Sequence, residues 1–266
     1  MKKYIVSALI FIVIIILTVF GVKAYSNIPH VCVLMYHDIF YKNELPKKFI
    51  DKHGNINDNC IITAENFKNQ MDFLKENNYY TLNLDEFYNF VVNGAEIPKK
   101  SVLITFDDGR KSSYINAYPI LKDNNFNAVM FLVTSKIPDK TSEFNPKKYQ
   151  RMSYDEINNS KDVFEYASHT HKMHEKENNM AYLLIKPQED IKNDLVESLK
   201  YVDKPYFAYP YGNYNKNLFN IIKESGFKMA FATTKGKVRT GDNPFCIHRY
   251  MIKEKYSMNK FKRFVK

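Results

Sequence analysis

Asp107 and Asp108 stand side by side directly after the apolar run Ser101 to Phe106, and Gly109 follows them. Farther along, Ser168 to His174 (SHTHKMH) holds three of the chain's seven histidines. Neutral imidazoles are borderline ligands that suit Zn²⁺. One aspartate oxygen with two imidazole nitrogens leaves coordination positions open for water and a substrate, the arrangement of a catalytic zinc and not a structural one. Successive side chains on a strand point to opposite faces, so two adjacent carboxylates can hold different jobs. One can bind the metal while the other stays free as a base. Taken alone, Asp-Asp-Gly reads as a turn and His171 as a solvated loop residue. Their occurrence together is what favours a site.

A third polar cluster, Tyr209-Pro210-Tyr211-Gly212, follows the run PYFA. All three clusters sit at the ends of predicted strands, where parallel α/β folds place their chemistry. The strands are His30 to Tyr36, Ser101 to Phe106, Ala128 to Val133, Val163 to Ala167, Pro205 to Tyr209, Lys228 to Ala232 and Cys246 to Ile252. Between them, helical spacing marks a helix capped by Thr63, then Leu84 to Val92 stopped at Asn93-Gly94, Ser113 to Asn124, Gln188 to Tyr201 and Lys216 to Ser225, with a last helix at the C-terminus. Residues 41–59 read as a polar loop. Strands alternating with helices predict an α/β fold with a parallel sheet, and the length favours a closed, distorted (β/α) barrel over an open sheet.

The chain has 266 residues with 39 Lys+Arg against 29 Asp+Glu, a formal charge of 39 − 29 = +10. Lys2 and Lys3 precede the uncharged stretch Tyr4 to Val22, which as a helix would span about 29 Å, close to a bilayer's hydrocarbon thickness. That length favours an uncleaved signal-anchor over residues 1–24, with Val22-Lys23-Ala24 offering a cleavage site as the alternative. The two lysines keep that end in the cytoplasm, so residues 25–266 form one outward-facing domain at the cell membrane, or a secreted one after cleavage. Without residues 1–24 the charge is 36 − 29 = +7, which suits an anionic cell envelope. Export and the even spread of the basic residues argue against nucleic acid as a partner. Cys32, Cys60 and Cys246 are too few and too scattered for a disulfide framework, and read as small buried apolar residues.

Thr105-Phe106-Asp107-Asp108-Gly109 resembles the first motif of the polysaccharide deacetylases, the NodB-homology or carbohydrate esterase family 4 group. That family's usual second motif, His-Ser/Thr-x-x-His, is one residue longer here, from His169 to His174, as in the branch of biofilm poly-N-acetylglucosamine deacetylases. The third motif, Arg-x-Pro-Tyr-Gly, starts with Ala208 in place of the arginine, so that side chain's usual acidic partner is unpaired or served from elsewhere. Met35-Tyr36-His37 also resembles an early segment of the biofilm branch. The resemblance implies hydrolysis of N-acetyl groups on N-acetylglucosamine residues of a cell-wall or extracellular polysaccharide. It implies a divalent metal, with Zn²⁺ the best fit, on Asp108, His169 and His174, and Asp107 as base. Tyr209, Pro210, Tyr211 and Gly212 would shape the groove wall, with the Tyr211 N–H on the oxyanion. For the general acid, the family's late Leu-x-His has its nearest match in Ile247-His248-Arg249, out of step by one residue. His248 is the resulting candidate. His37 either enters the substrate site or is a hydrogen-bonded core histidine. Asp242 either tunes the site or serves a turn. The missing arginine also admits a catalytically impaired carbohydrate-binding relative, and the scaffold admits another amidase or esterase.

Overall fold

The computed structural model describes residues 29–45, 49–50, 56 and 58–266. The proposed membrane segment at residues 1–24 lies outside these, and no helix of the described residues is long and apolar enough to cross a membrane.

In chain order the strands are β1 (Cys32–Tyr36), β2 (Asp38–Phe40), β3 (Ile61–Thr63), β4 (Tyr80–Thr81), β5 (Ser101–Phe106), β6 (Ala128–Leu132), β7 (Phe164–Ser168), β8 (Lys176–Glu177), β9 (Met180–Ala181), β10 (Tyr206–Ala208), β11 (Met229–Phe231) and β12 (Tyr250–Met251). The α-helices are α1 (Ala64–Glu76), α2 (Leu84–Asn93), α3 (Lys111–Asn116), α4 (Tyr118–Asp123), α5 (Tyr154–Asn158), α6 (Tyr182–Ile185), α7 (Gln188–Ser198), α8 (Lys216–Glu224) and α9 (Met258–Val265). One parallel sheet runs β11-β10-β7-β6-β5-β1-β12, with β4 added beside β5.

The sheet is buried on both faces, as parallel sheets are. On β5, Val102, Ile104 and Phe106 face the cluster shared with α1, α4 and α9, while Leu103 faces the inner cluster. The same alternation puts Val33, Val129, Phe131, Ala167, Ala208 and Phe231 inside. That cluster also holds Leu84, Phe87, Phe90 and Val91 of α2. These cover the end where the strands begin, and the carboxyl ends are left for the site. α2 starts with a capping box between Asn83 and Glu86, and Gly94 ends it at φ 69°.

Full closure of the barrel is not reached. The edge strands β11 and β12 do not pair with each other; Ile247, just before β12, makes one parallel bridge to Phe231, and Tyr250 pairs with Leu34 of β1. The result is a half-barrel strapped across its gap by residues 247–251. The predicted helix Ser113 to Asn124 is two short helices, because Pro119 lacks the N–H a continuous helix needs. Of the cysteines, all three free, Cys32 is buried but Cys60 and Cys246 are only half-buried.

Candidate active site

The register of the strands assembles the site. Tyr36 of β1 lies level with Phe106 of β5, and the Asp107 N–H donates to the Tyr36 carbonyl at 3.0 Å. His37 and Asp107 are therefore neighbours on adjacent strand ends. Leu132 of β6 is level with Ser168 of β7, and Ser168 with Phe207 of β10, which brings His169 beside the turn after Ala208.

Asp107 continues the alternation of Leu103 and Thr105 and points inward. There it meets Arg249, whose guanidinium donates from Nη1 to Oδ1 at 2.7 Å and from Nη2 to Oδ2 at 2.8 Å. Arg249 is wholly buried; its Nε–H donates to the Ala232 carbonyl at 2.9 Å and its guanidinium lies 5.5 Å from the Phe131 ring centroid. Burial pushes the Asp107 carboxyl up, but the guanidinium, helped by His169 and His37, outweighs it and holds the group below the usual carboxylate range. Asp107 is a buried carboxylate kept ionised.

At Asp108 the chain leaves the strand with φ 76°, which turns this carboxylate away from the first. Gly109 follows at φ 63°, where a Cβ would lie 2.7 Å from Leu132 Cδ2. Arg110 Nη2 bonds Asp108 Oδ2 at 2.8 Å, and its Nε lies 3.4 Å from Asp38. Arg151 reaches the Asp108 carbonyl and lies 3.4 Å from Oδ1. Burial opposes ionisation of Asp108, but Arg151 and Arg110 overcome it and drive the carboxyl far below its ordinary value.

His169 donates from Nδ1 to the Ala208 carbonyl at 2.7 Å, since a carbonyl can only accept; Nε2 is left with its lone pair. His174 Nε2 lies 3.3 Å from Asp108 Oδ1, and the two imidazole centroids are 4.7 Å apart. Burial, then the neighbouring His169, pushes His174 down to about 4, and burial lowers His169 as well. Asp108, His169 and His174 each offer a ligand atom within 4.8 Å of the others'. Asp108 Oδ1 is buried and accepts no hydrogen bond from the described residues. The Asp108 oxygen and the lone pair of His169 Nε2 are both acceptors, and a cation between them resolves the clash. The donor set of one carboxylate and two imidazoles fits a divalent metal. His171 faces elsewhere, stacked 5.4 Å from the Tyr201 ring and bonded to Thr134 Oγ1 at 2.9 Å.

Two expectations need correction. His248 does not turn toward Asp107; its ring bonds Thr234 Oγ1 at 2.7 Å and lies against Gly236. The one-residue step that turns His248 away turns Arg249 in. Tyr209 cannot line a groove, because it is wholly buried and its hydroxyl donates to the Phe245 carbonyl at 2.9 Å. Pro210 is buried too, whereas Tyr211 is exposed, 4.8 Å from the His174 ring, with Lys176 4.1 Å from its centroid. Gly212 sits at φ 69°, where a Cβ would fall 1.9 Å from Thr233 Oγ1. Asp242 serves a turn, accepting from the Arg239 N–H at 2.8 Å.

Sequence reasoning missed Arg249, Arg110 and Arg151. A charged residue in step with Ile247 and Met251 along an apolar strand was the signal for the first. For Arg110 the signal was its place directly after Asp108-Gly109, whereas Arg151 enters from a long loop and carries none.

A sequence profile described as polysaccharide deacetylase matches residues 94–230. The poly-beta-1,6-N-acetyl-D-glucosamine N-deacetylase of Staphylococcus aureus (strain MRSA252) is 31% identical over 206 residues, covering 74% of this chain and 69% of that protein. The enzyme of the same description from Staphylococcus epidermidis is 30% identical over 201 residues, with 73% and 68% covered. Among solved structures, the Streptococcus pyogenes deacetylase PplD in complex with acetate superposes with a TM-score of 0.74 at 22% identity, over 90% of this chain and all of that one (100%). IcaB from Ammonifex degensii gives 0.69 at 22% identity, over 89% and 95%. These two share the fold. On the matched profile and the staphylococcal relatives together, the chain belongs to the polysaccharide deacetylase family.

Proposed function

We propose that the protein hydrolyses the N-acetyl amide of N-acetylglucosamine units in an extracellular or cell-wall polysaccharide, releasing acetate and leaving a free amine. The staphylococcal relatives, described as acting on the β-1,6-linked polymer, make that polymer the first substrate to try. The observation that carries the reading is the Asp108, His169 and His174 ligand set beside a second, buried and ionised carboxylate, Asp107.

Asp108, His169 and His174 would hold the metal, for which Zn²⁺ is the best match to a mixed oxygen and imidazole set. A divalent cation there supplies Lewis acidity, polarising the acetyl carbonyl and bringing a water's pKa from ~15.7 to near ~7. Asp107 takes the proton of the attacking water, and Arg249 keeps it ionised for that task. His37, level with Asp107 on the neighbouring strand end, donates the proton that the departing amine requires. This replaces the assignment to His248. The Tyr211 N–H stabilises the oxyanion, and the exposed Tyr211 ring gives the sugar an apolar face. Arg249, by supplying from β12's approach the guanidinium that Ala208 lacks, supports an active enzyme over a carbohydrate-binding relative. The segment at residues 1–24 would hold the domain outside the cell membrane.

Metal-free protein is reconstituted with Zn²⁺ and given β-1,6-linked N-acetylglucosamine oligomers, chitooligosaccharides and small acetyl esters, with acetate measured. Release from an oligosaccharide, lost on chelation and restored by Zn²⁺, is expected. No release from any sugar polymer, or release from esters alone, overturns the reading.

A further inference from the structure

His174 reaches the site at the end of a loop whose backbone has an unusual anchor. Thr170, the residue after His169, sits at φ 78°, a conformation that a β-branched residue rarely adopts. The next three N–H groups then converge on the carboxylate of Asp194, which is buried on α7. The His171 N–H donates to Oδ1 at 3.0 Å, Lys172 to Oδ2 at 2.6 Å and Met173 to Oδ1 at 3.3 Å. One turn farther along α7, Ser198 Oγ bonds Ser168 Oγ at 2.7 Å, and Ser168 Oγ accepts from the Thr170 N–H at 3.1 Å. On the opposite side the Thr134 N–H donates to the Thr170 carbonyl at 3.0 Å and Ser135 to the His171 carbonyl at 3.3 Å. The loop's donors are therefore gathered by α7 and its carbonyls by the turn at residues 134–136.

We infer that Asp194 is a positioning residue for the metal centre: its carboxylate gathers the 171–173 amides and thereby fixes where His174 stands relative to His169 and Asp108. It touches none of the three ligands and acts through backbone alone. A carboxylate is the side chain this task requires, because both oxygens accept and neither donates. Asparagine keeps the shape but sets an NH₂ against amide donors, so at least one N–H loses its partner. The inference rests on the proposed metal centre at Asp108, His169 and His174.

The test uses the full chain stripped of metal. Co²⁺ is titrated in while its visible absorption is followed, and amide hydrogen exchange is measured on the metal-free protein. Asp194→Asn is compared with wild type and with Ser225→Ala, which removes a hydrogen bond to the Ile221 carbonyl away from the site. In Asp194→Asn, Co²⁺ affinity falls about 10–100-fold, the range for losing a group that orients a metal ligand. Exchange at residues 171–173 rises while that of β5 stays as in wild type. Ser225→Ala keeps wild-type Co²⁺ affinity. A wild type that binds Co²⁺ with Asp194→Asn matching it within about twofold overturns the role of Asp194 alone. A wild type that takes up no Co²⁺ overturns the metal centre, and the inference with it. Should Asp194→Asn not fold, Ser198→Ala, which removes the Ser168 link together with a hydrogen bond to the Leu195 carbonyl inside α7, is read the same way: weakened Co²⁺ binding supports the inference and unchanged binding overturns it.

Discussion

Replacing Arg249 with methionine keeps much of the side chain's length and removes its charge. Asp107 then remains buried, with the two guanidinium bonds at 2.7 and 2.8 Å gone. Two unit charges about 4 Å apart at an effective dielectric near 20 attract by about 4 kcal/mol. At 1.36 kcal/mol per unit, that sets a ceiling of about 3 units on the rise in the Asp107 pKa. His169 and His37 still favour the carboxylate, so the expected rise is about 1–2 units. A base must be ionised to act, so the acid limb of kcat/KM moves to higher pH by that amount. The zinc-loaded variant therefore loses proportionally more activity at the acid end of the profile than near pH 8. The sign for stability agrees. In wild type the depressed carboxyl stabilises the fold above its ordinary pKa of about 3.9, and this is lost as pH falls through the lower native value. Arg249→Met lacks that contribution at neutral pH, and urea denaturation should show a loss of about 3–5 kcal/mol, as for one partner of a buried pair. Arg249→Lys restores a charge without the paired N–H geometry, so its acid limb falls between the two. Acetate release across pH 4.5 to 9 is the assay. An acid limb that stays put, or moves to lower pH, in a folded Arg249→Met protein refutes the coupling of Arg249 to the base.

Asp107→Asn should lower acetate release about 10²–10⁴-fold while Co²⁺ affinity stays near wild type, because Asp107 is not placed among the ligands; a variant with full turnover removes the proposed base. His174→Ala should abolish stoichiometric metal uptake, measured by elemental analysis after gel filtration. In metal-free protein the His174 ring should titrate near pH 4 by NMR, so that it stays neutral at pH 5; a midpoint near 6.5 would contradict the burial argument. Gly212→Ala should cost at least about 1–3 kcal/mol by chemical denaturation, since its methyl overlaps Thr233 at a left-handed position.

The parts of the site that were legible in the sequence are those set by local periodicity. Alternation along Ser101–Phe106 separates the directions of Asp107 and Asp108, and the apolar runs before each cluster place them at strand ends. Pairing across the sheet is a different kind of information. Whether Arg249 or His248 faces Asp107 depends on a one-residue phase in a segment that joins two sheet edges, and periodicity over so short a strand cannot set it. Tyr209 was misread for a related reason: β10 has only three residues, and the turn that follows rotates Tyr209 into the core and Tyr211 out. The two-residue strands β4, β8 and β9 and the five-residue α5 are too short to leave a periodic trace. Asp194 leaves no trace in the periodicity of its helix, because the amides that it holds belong to a loop more than twenty positions earlier.

Asp108, Thr170 and Tyr211 lie one in each loop of the site, and all three have positive φ without being glycine. Each such residue costs about 1–2 kcal/mol relative to ordinary backbone. Selection for thermal hardiness alone would therefore favour glycine at positions 170 and 211, relaxing the very bends that aim the imidazoles and the tyrosine ring. Laboratory evolution toward a tougher catalyst should accordingly begin at the far end of the half-barrel, around α2, where no bend serves the chemistry.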